Sequence, residues 1–322
     1  MRRQYESGNL CSEPCRRYPR SGVTDLVVAT PVFLDLTFVG LESLPALGEE
    51  RFAAELVRSP GGGAITAVGA ARLGLSAAVA APLGDDVAGD LVRAVLAEEG
   101  VEPIATRSAA RTPTTVVLPH GGDRAMVTVD PGVRASAADV AVRAPRAVAA
   151  NLDQLYVIPP GALAYVTCGD DEARAYVGRP PAALSSAGAL FVNEREALGL
   201  TGAATVEEAA RRLGELAETV VVTLAAEGAI AFSGGEIVAA AAERVEHPVD
   251  TTGAGDLLVA AYIWAELRGA ESADRLRWAV LYASLAVTAS TGVGGAVKEA
   301  DLIEAGAARG LAAPPLAGIA QV

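Results

Sequence analysis

Short aliphatic runs alternate with helix-length segments in the second half of the chain, and this alternation is the strongest limit on its fold. The runs are residues 155–158, 163–167, 189–192 and 220–224. Continuous aliphatic strands separated by helices are typical of a mostly parallel sheet with helices on both faces. The sequence therefore predicts an α/β fold built around such a sheet.

The first half of the chain adds elements of both kinds. Residues 24–29 and 77–83 are apolar and strand-length, and residues 64–73 form a helix-length segment that follows a glycine run. Residues 114–118 and 125–130 alternate apolar with polar side chains around a Gly-Gly turn. Such alternation around a turn predicts a β-hairpin.

Residues 250–256 read Asp-Thr-Thr-Gly-Ala-Gly-Asp and precede an apolar run over residues 257–267. Gly253 and Gly255 allow a tight turn and a close approach by a ligand. The helix that follows leaves its first amides without partners at the positive end of its dipole, which favours an anion. Asp256 then stands in the first turn, either as a helix cap or as a base beside a bound phosphate.

This heptapeptide resembles the Asp-Thr-x-Gly-Ala-Gly-Asp signature of the ribokinase-like (PfkB) carbohydrate kinases at every fixed position. The resemblance implies a ribokinase-like three-layer α/β/α sandwich with a mostly parallel central sheet and a small β-sheet lid. The expected kinase domain covers residues 23–310, with lid strands from about 33–58 and 112–130. Residues 1–22 and 311–322 are expected to form a disordered N-terminal tail and a C-terminal tail.

The resemblance also implies ATP-dependent phosphoryl transfer to a hydroxyl group. Asp256 would accept the hydroxyl proton, and the amides of Gly253, Ala254 and Gly255 would stabilise charge on the moving phosphoryl group. With an ordinary pKa of about 4, Asp256 would be a weak base that takes a proton late in the reaction.

The acceptor side is expected around Asp35 and the glycine run Pro60-Gly61-Gly62-Gly63. In the family, an acid after the first strand binds substrate hydroxyls, and a Gly-Gly signature opens the next helix. The family's two substrate-side Asn residues fall on Phe33 and Ile65. Replacing two polar contacts by apolar side chains weakens the case for ribose or fructose and allows a less polar acceptor.

The nucleotide side is expected at the ends of two later strands. Asn193 and Glu196 match the family's Asn-x-x-Glu motif, which implies Mg²⁺ held mostly through water. The predicted ATP-binding residues are Asn193, Thr223, Ala225, Gly228, Gly253 and Gly255. Asp250 and Thr252 are the candidates for a K⁺ site.

Composition excludes several other classes. The net charge of −13 argues against nucleic acid and anionic membranes as partners. The single lysine, Lys298, follows a valine, so the Gly-Lys-Ser/Thr of a Walker phosphate loop does not occur. Three cysteines and two histidines are too dispersed for a zinc site and suit the reducing cytoplasm. Residues 278–297 are interpreted as a buried helix and loop rather than a membrane span.

Three functions stay open at this point. The first is a sugar kinase, and the second is an adenosine-like nucleoside kinase in which Phe33 and Ile65 face the base. The third is a non-catalytic protein that binds a sugar or a nucleotide, since a fold alone does not fix function. A homodimer formed through the lid is a further expectation that the resemblance brings.

Overall fold

The computed structural model describes residues 23–105, 107–120, 123–245, 251–289 and 292–315. The strands are β1 (Leu26–Val28), β2 (Val32–Val39), β3 (Glu55–Gly62), β4 (Ala77–Val79), β5 (Glu102–Pro103), β6 (Thr114–His120), β7 (Asp123–Val129), β8 (Ala147–Asn151), β9 (Leu163–Thr167), β10 (Ala189–Asn193), β11 (Thr219–Thr223), β12 (Ala229–Ser233) and β13 (Glu236–Ala240). The helices are α1 (Gly63–Arg72), α2 (Val87–Glu98), α3 (Ala137–Ala141), α4 (Asp170–Ala175), α5 (Glu194–Thr201), α6 (Val206–Leu213), α7 (Ala254–Leu267), α8 (Ser272–Ala286), α9 (Gly292–Gly295) and α10 (Glu299–Ala307). The predicted N-terminal tail at 1–22 and residues 316–322 of the predicted C-terminal tail at 311–322 lie outside the described residues.

Nine strands of the described chain form one sheet in the order β13-β12-β11-β10-β9-β8-β1-β4-β5. Every neighbouring pair from β11 to β5 is parallel, whereas β12 and β13 add antiparallel at one edge. The carboxyl ends of the parallel strands therefore lie along one edge of the sheet, where α/β proteins bind ligands.

Side chains of each central strand alternate between two apolar layers, as the pleat of a strand requires. In β1, Leu26 and Val28 face one layer, which includes α1, α7 and α8, while Val27 faces the other. Further along the sheet, α5 and α6 cover the second face. The predicted ribokinase-like three-layer α/β/α sandwich is confirmed.

Helix α7 lies at the centre of the first layer and is apolar on nearly all sides. Its side chains from Leu257 to Ala265 are buried. Gly69 of α1 allows the two helices to approach closely, since a Cβ there would lie 2.6 Å from a methyl group of Leu257. This packing fixes the start of α1 beside the start of α7, and both belong to the candidate site.

A separate four-stranded sheet, in the order β3-β2-β6-β7, forms the lid. The strands β2 and β3 pair antiparallel, as do β6 and β7, and β2 pairs with β6 in parallel. The predicted hairpin is therefore confirmed. The lid strands extend slightly beyond the expected ranges, because β3 continues to Gly62 and leads directly into α1.

One predicted strand is wrong. Residues 155–158 were expected to be extended, but a 3₁₀ helix covers Leu152–Val157, and Tyr156 is exposed. The strand in this region is β8, which ends at Asn151, four residues before the predicted strand begins, and its run Ala-Val-Ala-Ala is buried on both faces. Alanine has a low strand propensity, so burial in the sheet rather than local preference decides this segment.

The predicted strand at residues 77–83 is shorter than expected, since β4 ends at Val79. The apolar stretch at residues 278–297 contains the end of α8 and the short α9, in agreement with its interpretation as a helix and loop. Within the described ranges, no helix has the length and apolar character to cross a membrane.

Candidate active site

The site is built around the first turn of α7. Gly253 caps the helix with φ 80° and ψ 0°, a left-handed conformation that favours glycine. A Cβ at this position would lie 2.7 Å from Cδ1 of Ile65 and 2.8 Å from Cα of Gly292. Glycine is thus required here both by the backbone conformation and by the lack of space.

The amides at this helix start point towards the ligand side, as at any helix N-terminus. The Ala254 amide makes a long hydrogen bond, 3.3 Å, to the carbonyl oxygen of Thr251. Gly255 is exposed, and a Cβ there would meet no atom within 4 Å. Of the three predicted donor residues, Gly255 is therefore the most exposed to solvent.

Asp256 lies in this turn as a partly exposed residue whose carboxyl group is buried. Its Oδ1 accepts a hydrogen bond of 3.3 Å from the hydroxyl group of Thr66 on α1. Loss of solvation raises the pKa of Asp256 to about 7, with a further rise from the negative charge of Asp35. The Thr66 hydroxyl, the positive charge of Arg124 and the amide of Asp256 itself act in the opposite direction.

The sequence-based expectation of an ordinary pKa for Asp256 is therefore wrong. The sequence shows an acid at a helix start, where the dipole favours ionisation. The fold buries that acid beside a second carboxylate, and burial outweighs the dipole. A carboxylate with a pKa near neutrality is a better match to a general base working at neutral pH.

Asp35 lies on β2, on the face of the lid that carries the predicted acceptor site. Its side chain is 8% exposed. It packs directly against Gly61, because a Cβ on Gly61 would overlap the Asp35 carboxylate. The negative charge of Asp35 raises the pKa of Asp256, so these two acids, 221 positions apart in sequence, lie near each other in the fold.

Strand register shows which other lid residues share that face. Asp35 is opposite Thr115, and Thr115 is opposite Thr128. Since side chains alternate along a strand, Arg124 lies on the same face as Thr128. The Arg124 guanidinium donates a hydrogen bond of 3.1 Å from Nη1 to the hydroxyl group of Thr251. The lid therefore reaches the loop that precedes α7.

The other predicted acceptor residues lie around the base of the lid. Phe33 is partly exposed and shares the face of Asp35, two positions away on β2. Gly62 has φ 58°, and a Cβ there would lie 2.8 Å from the Phe33 ring. The amide of Gly63 donates to the carbonyl oxygen of Pro31, and Ile65 is 1% exposed. Gly63 begins α1, and Ile65 packs against Gly253 at the start of α7. Contact of either residue with a substrate stays a prediction.

Asn193 and Thr223 end neighbouring parallel strands and are directly opposite each other. Asn193 caps α5 through a reciprocal pair of bonds, in which the Glu196 amide donates to Oδ1 of Asn193 and the Asn193 amide donates to Oε2 of Glu196, each 2.9 Å long. Burial raises the pKa of Glu196. The motif therefore performs the structural role of a helix cap whether or not it also serves a metal.

The predicted nucleotide loop contains a strained alanine. Ala225 has φ 51°, in the left-handed region that non-glycine residues rarely adopt. Gly228 has φ 105°, and a Cβ there would overlap the carbonyl oxygen of Ala240. The loop thus keeps the conformation of a glycine-containing turn although an alanine occupies its first glycine position.

Comparison with known proteins agrees with this geometry. A sequence model of the pfkB family of carbohydrate kinases matches residues 38–158 and 162–298. The chain belongs to the pfkB carbohydrate kinase family. It is a phosphotransferase with an alcohol group as acceptor.

Solved kinase structures superpose on this pfkB kinase over nearly their whole length. A ribokinase of Arabidopsis thaliana, complexed with ribose and ATP, has 25% identity and a TM-score of 0.72, with coverage of 88% of this chain and 99% of that one. A ribokinase of Thermotoga maritima has 18% identity and a TM-score of 0.75, covering 88% and 99%. A fructokinase of Xylella fastidiosa with bound ATP has 19% identity and a TM-score of 0.71, covering 89% and 99%.

The predicted metal residues of this pfkB kinase, Asn193 and Glu196, also cap α5. In the part of the chain that the structure describes, no group of three or more His, Cys, Asp or Glu side chains could hold a metal ion. One oxygen of Asn193 and one of Glu196 are already used in capping. For the predicted K⁺ site, Asp250 lies outside the described residues, and Thr252 lies beside Gly292, where a Cβ would be 3.1 Å from the Thr252 carbonyl oxygen.

Two residues of the pfkB site were missed in the sequence, Thr66 and Arg124. Both are polar residues of ordinary type that gain their importance from contacts made across the fold. A period-two count along the hairpin places Arg124 and Thr128 on one face, and this signal could have identified Arg124 as a lid residue that faces the site.

A buried acid at the same sheet edge was also missed. Glu172 is 6% exposed and accepts hydrogen bonds of 2.8 Å from the amides of Gly169 and Asp153. Loss of solvation raises the pKa of Glu172 to about 7. Asn151 and Thr167, which end β8 and β9, bond each other beside it at 3.1 Å. With Asn193 and Thr223 they form a polar row along the carboxyl ends of four neighbouring strands.

Proposed function

We propose that this chain is an ATP-dependent kinase that transfers the γ-phosphoryl group to a hydroxyl group of a sugar or sugar-like alcohol. The observation that carries the proposal is the electrostatic contact between Asp35 and Asp256. Asp35 is suited to bind the hydroxyl groups of a substrate, and the nearby Asp256 is suited to take a proton from one of them. Neighbouring solved structures of the fold hold ribose and ATP, or ATP, which supports this assignment of acceptor and donor.

In the proposed reaction, Asp35 orients the acceptor and Asp256 takes the proton of its attacking hydroxyl. A bond forms between that oxygen and the γ-phosphorus, and the bond from the γ-phosphorus to the β–γ bridging oxygen breaks to leave ADP. The start of α7, where Gly255 is exposed, stabilises charge on the transferring group. Positioning and electrostatics of this kind provide most of the acceleration in phosphoryl transfer.

Asn193 and Glu196 would hold Mg²⁺ through its water ligands. When bound, this ion would neutralise charge on the ATP phosphates. The contribution of the chain itself is a fixed geometry, since the two capping bonds orient both side chains at the end of β10.

The test is an ATP-consumption assay with purified protein and a panel of sugars, sugar alcohols and nucleosides. We expect turnover with at least one sugar-type acceptor, and a loss of about a hundredfold or more in Asp256→Asn, similar to the loss of an anion-hole donor. Tight ATP binding without turnover of any acceptor would contradict the proposal and favour the non-catalytic alternative.

A nucleoside kinase is the second candidate. The specific observation in its favour is Phe33, a partly exposed aromatic side chain on the same lid face as Asp35. An aromatic face could stack on a base while Asp35 binds ribose hydroxyls. The same panel separates the two candidates, because a nucleoside kinase would prefer adenosine over the free sugars.

We also propose that the lid pairs with a second copy of the chain. Val127 and Val129 lie on the face of β7 opposite to Arg124 and are each 68% exposed. β7 ends the four-stranded sheet, and exposed apolar edge strands favour pairing. Light scattering should show a dimer that Val127→Glu dissociates, and a monomeric wild-type protein at micromolar concentration would contradict this part of the proposal.

A further inference from the structure

The lid carries a positive charge to the start of α7. Arg124 lies on β7, and its Nη1 donates a 3.1 Å hydrogen bond to the Thr251 hydroxyl group, two residues before Gly253. Arg124 is the cation whose charge lowers the pKa of Asp256. These two observations, one geometric and one electrostatic, place the Arg124 guanidinium beside the anion-binding turn.

The electrostatics of the site require such a cation. Asp35 and Asp256 each contribute a carboxylate, and the proposed ATP would add further negative charge. The single lysine of the chain, Lys298, precedes α10 and acts on Glu99. Lysine therefore does not perform the role that it has in a Walker phosphate loop.

We infer that Arg124 is a further catalytic residue, which binds the transferring phosphoryl group when the lid is closed over the acceptor. This inference rests on the proposed kinase function. As the acceptor oxygen bonds to the γ-phosphorus and the bridging oxygen departs with ADP, charge spreads over the three peripheral oxygens. The planar, permanently charged guanidinium group can donate to two of those oxygens at once.

Because Arg124 lies on the lid, its proposed role depends on the position of the lid. The lid sheet also carries Asp35, so the acceptor-binding acid and the phosphoryl-binding cation move as parts of one sheet. The catalytic constellation is then complete only when the lid covers the acceptor. Closure of this kind limits transfer of the phosphoryl group to water.

The chain offers a matched control on the same sheet. Arg58 of β3 is opposite Leu36 of β2, one position out of phase with Asp35, so it lies on the other face of the lid. Its side chain is exposed. Arg58→Gln removes the same charge from the same sheet without touching the site and should leave kcat unchanged.

The experiment compares wild type, Arg124→Gln, Arg124→Lys and Arg58→Gln in steady-state kinetics with the acceptor that the panel identifies. We expect kcat to fall by about a hundredfold or more in Arg124→Gln, with the KM for the acceptor changed less than about threefold. Arg124→Lys should recover part of the loss because it keeps the charge. In Arg124→Gln, the acid limb of kcat/KM should move to higher pH, because the cation that opposes the effect of Asp35 on Asp256 is gone.

A second readout uses binding instead of turnover. The affinity for ADP with aluminium fluoride and acceptor should fall in Arg124→Gln, while the affinity for ADP alone stays within about twofold, since only the first complex imitates the transferring group. This comparison also identifies a misfolded variant, which would lose both affinities. In that case Arg124→Lys, which retains the positive charge of the side chain, provides the test.

The outcomes are distinct. An unchanged kcat in Arg124→Gln would overturn the inference and leave the proposed kinase function intact. A raised acceptor KM with normal kcat would also overturn it, by assigning Arg124 to the acceptor. If wild-type protein turned over no acceptor, the proposed function itself would fail, and the inference would fail with it.

Discussion

Replacing Thr66 by valine should shift the pH dependence of the reaction by changing the base alone. Valine has nearly the same shape as threonine but cannot donate the 3.3 Å hydrogen bond to Oδ1 of Asp256. A hydrogen bond to a charged group contributes about 1.5–3 kcal/mol, and this bond is long, so we take the lower end, about 1.5 kcal/mol. That free energy corresponds to about one pKa unit.

The pKa of Asp256 would then rise from about 7 to about 8. At pH 7 the ionised fraction of the base falls from about a half to about a tenth, so kcat/KM should fall about fivefold. At a pH of about 9.5 both enzymes are ionised, and the difference should disappear. The sign follows from the role of a base, because activity is lost as the pH falls through its pKa.

The assay is a pH profile of kcat/KM for the acceptor at saturating ATP, which reports the free enzyme. Thr66→Ser keeps the hydroxyl group and should retain the wild-type profile. Thr201→Val removes a partly buried hydroxyl group from α5, on the opposite face of the sheet, and controls for the general cost of the change. A folded Thr66→Val enzyme whose acid limb stays at the wild-type position would refute the reasoning.

The remaining predictions concern stability and the two strained loops. Asp256→Asn should raise Tm at pH 8 and much less at pH 5, because a raised pKa means that ionisation of this carboxyl destabilises the fold as pH rises from about 4 to above 7; each kcal/mol gained adds about 2–4 °C. Ala225→Gly should raise Tm by a similar few degrees, since the left-handed φ of 51° costs a non-glycine residue about 1–2 kcal/mol; an unchanged or lower Tm would contradict this. Gly253→Ala should lose activity by about a hundredfold or more and lower Tm, because its Cβ would overlap Ile65 and Gly292; normal kinetics would show that the turn tolerates displacement.

Much of the fold could be predicted because local pattern and tertiary structure agree. The alternation of aliphatic strands and helices identified the parallel sheet, and the hairpin pattern identified β6 and β7. The prediction placed a strand at residues 155–158 and missed β8. The missed strand is rich in alanine, whose strand character comes only from burial between two layers. Such a segment has no local signal for a reader of the sequence.

Some features of the candidate site could likewise be predicted from the sequence, and others could not. The heptapeptide at 250–256 was recognisable because the turn needs glycine at fixed positions, and Gly253 confirms that need with its positive φ. The raised pKa of Asp256 could not be predicted, because it results from burial and from Asp35 on a distant strand. Thr66 and Arg124 were missed for the same reason, since each reaches the start of α7 from another element.

The direct junction between β3 and α1 gives the lid an influence on proton transfer. β3 ends at Gly62 and α1 begins at the next residue, so no flexible linker separates them. Thr66 lies in the first turn of α1, as the fourth residue of the helix. We therefore expect any movement of the lid about Gly62 to reach the Thr66 hydroxyl group, which donates to Asp256. An acceptor that moves the lid would then change the proton affinity of the base through the backbone.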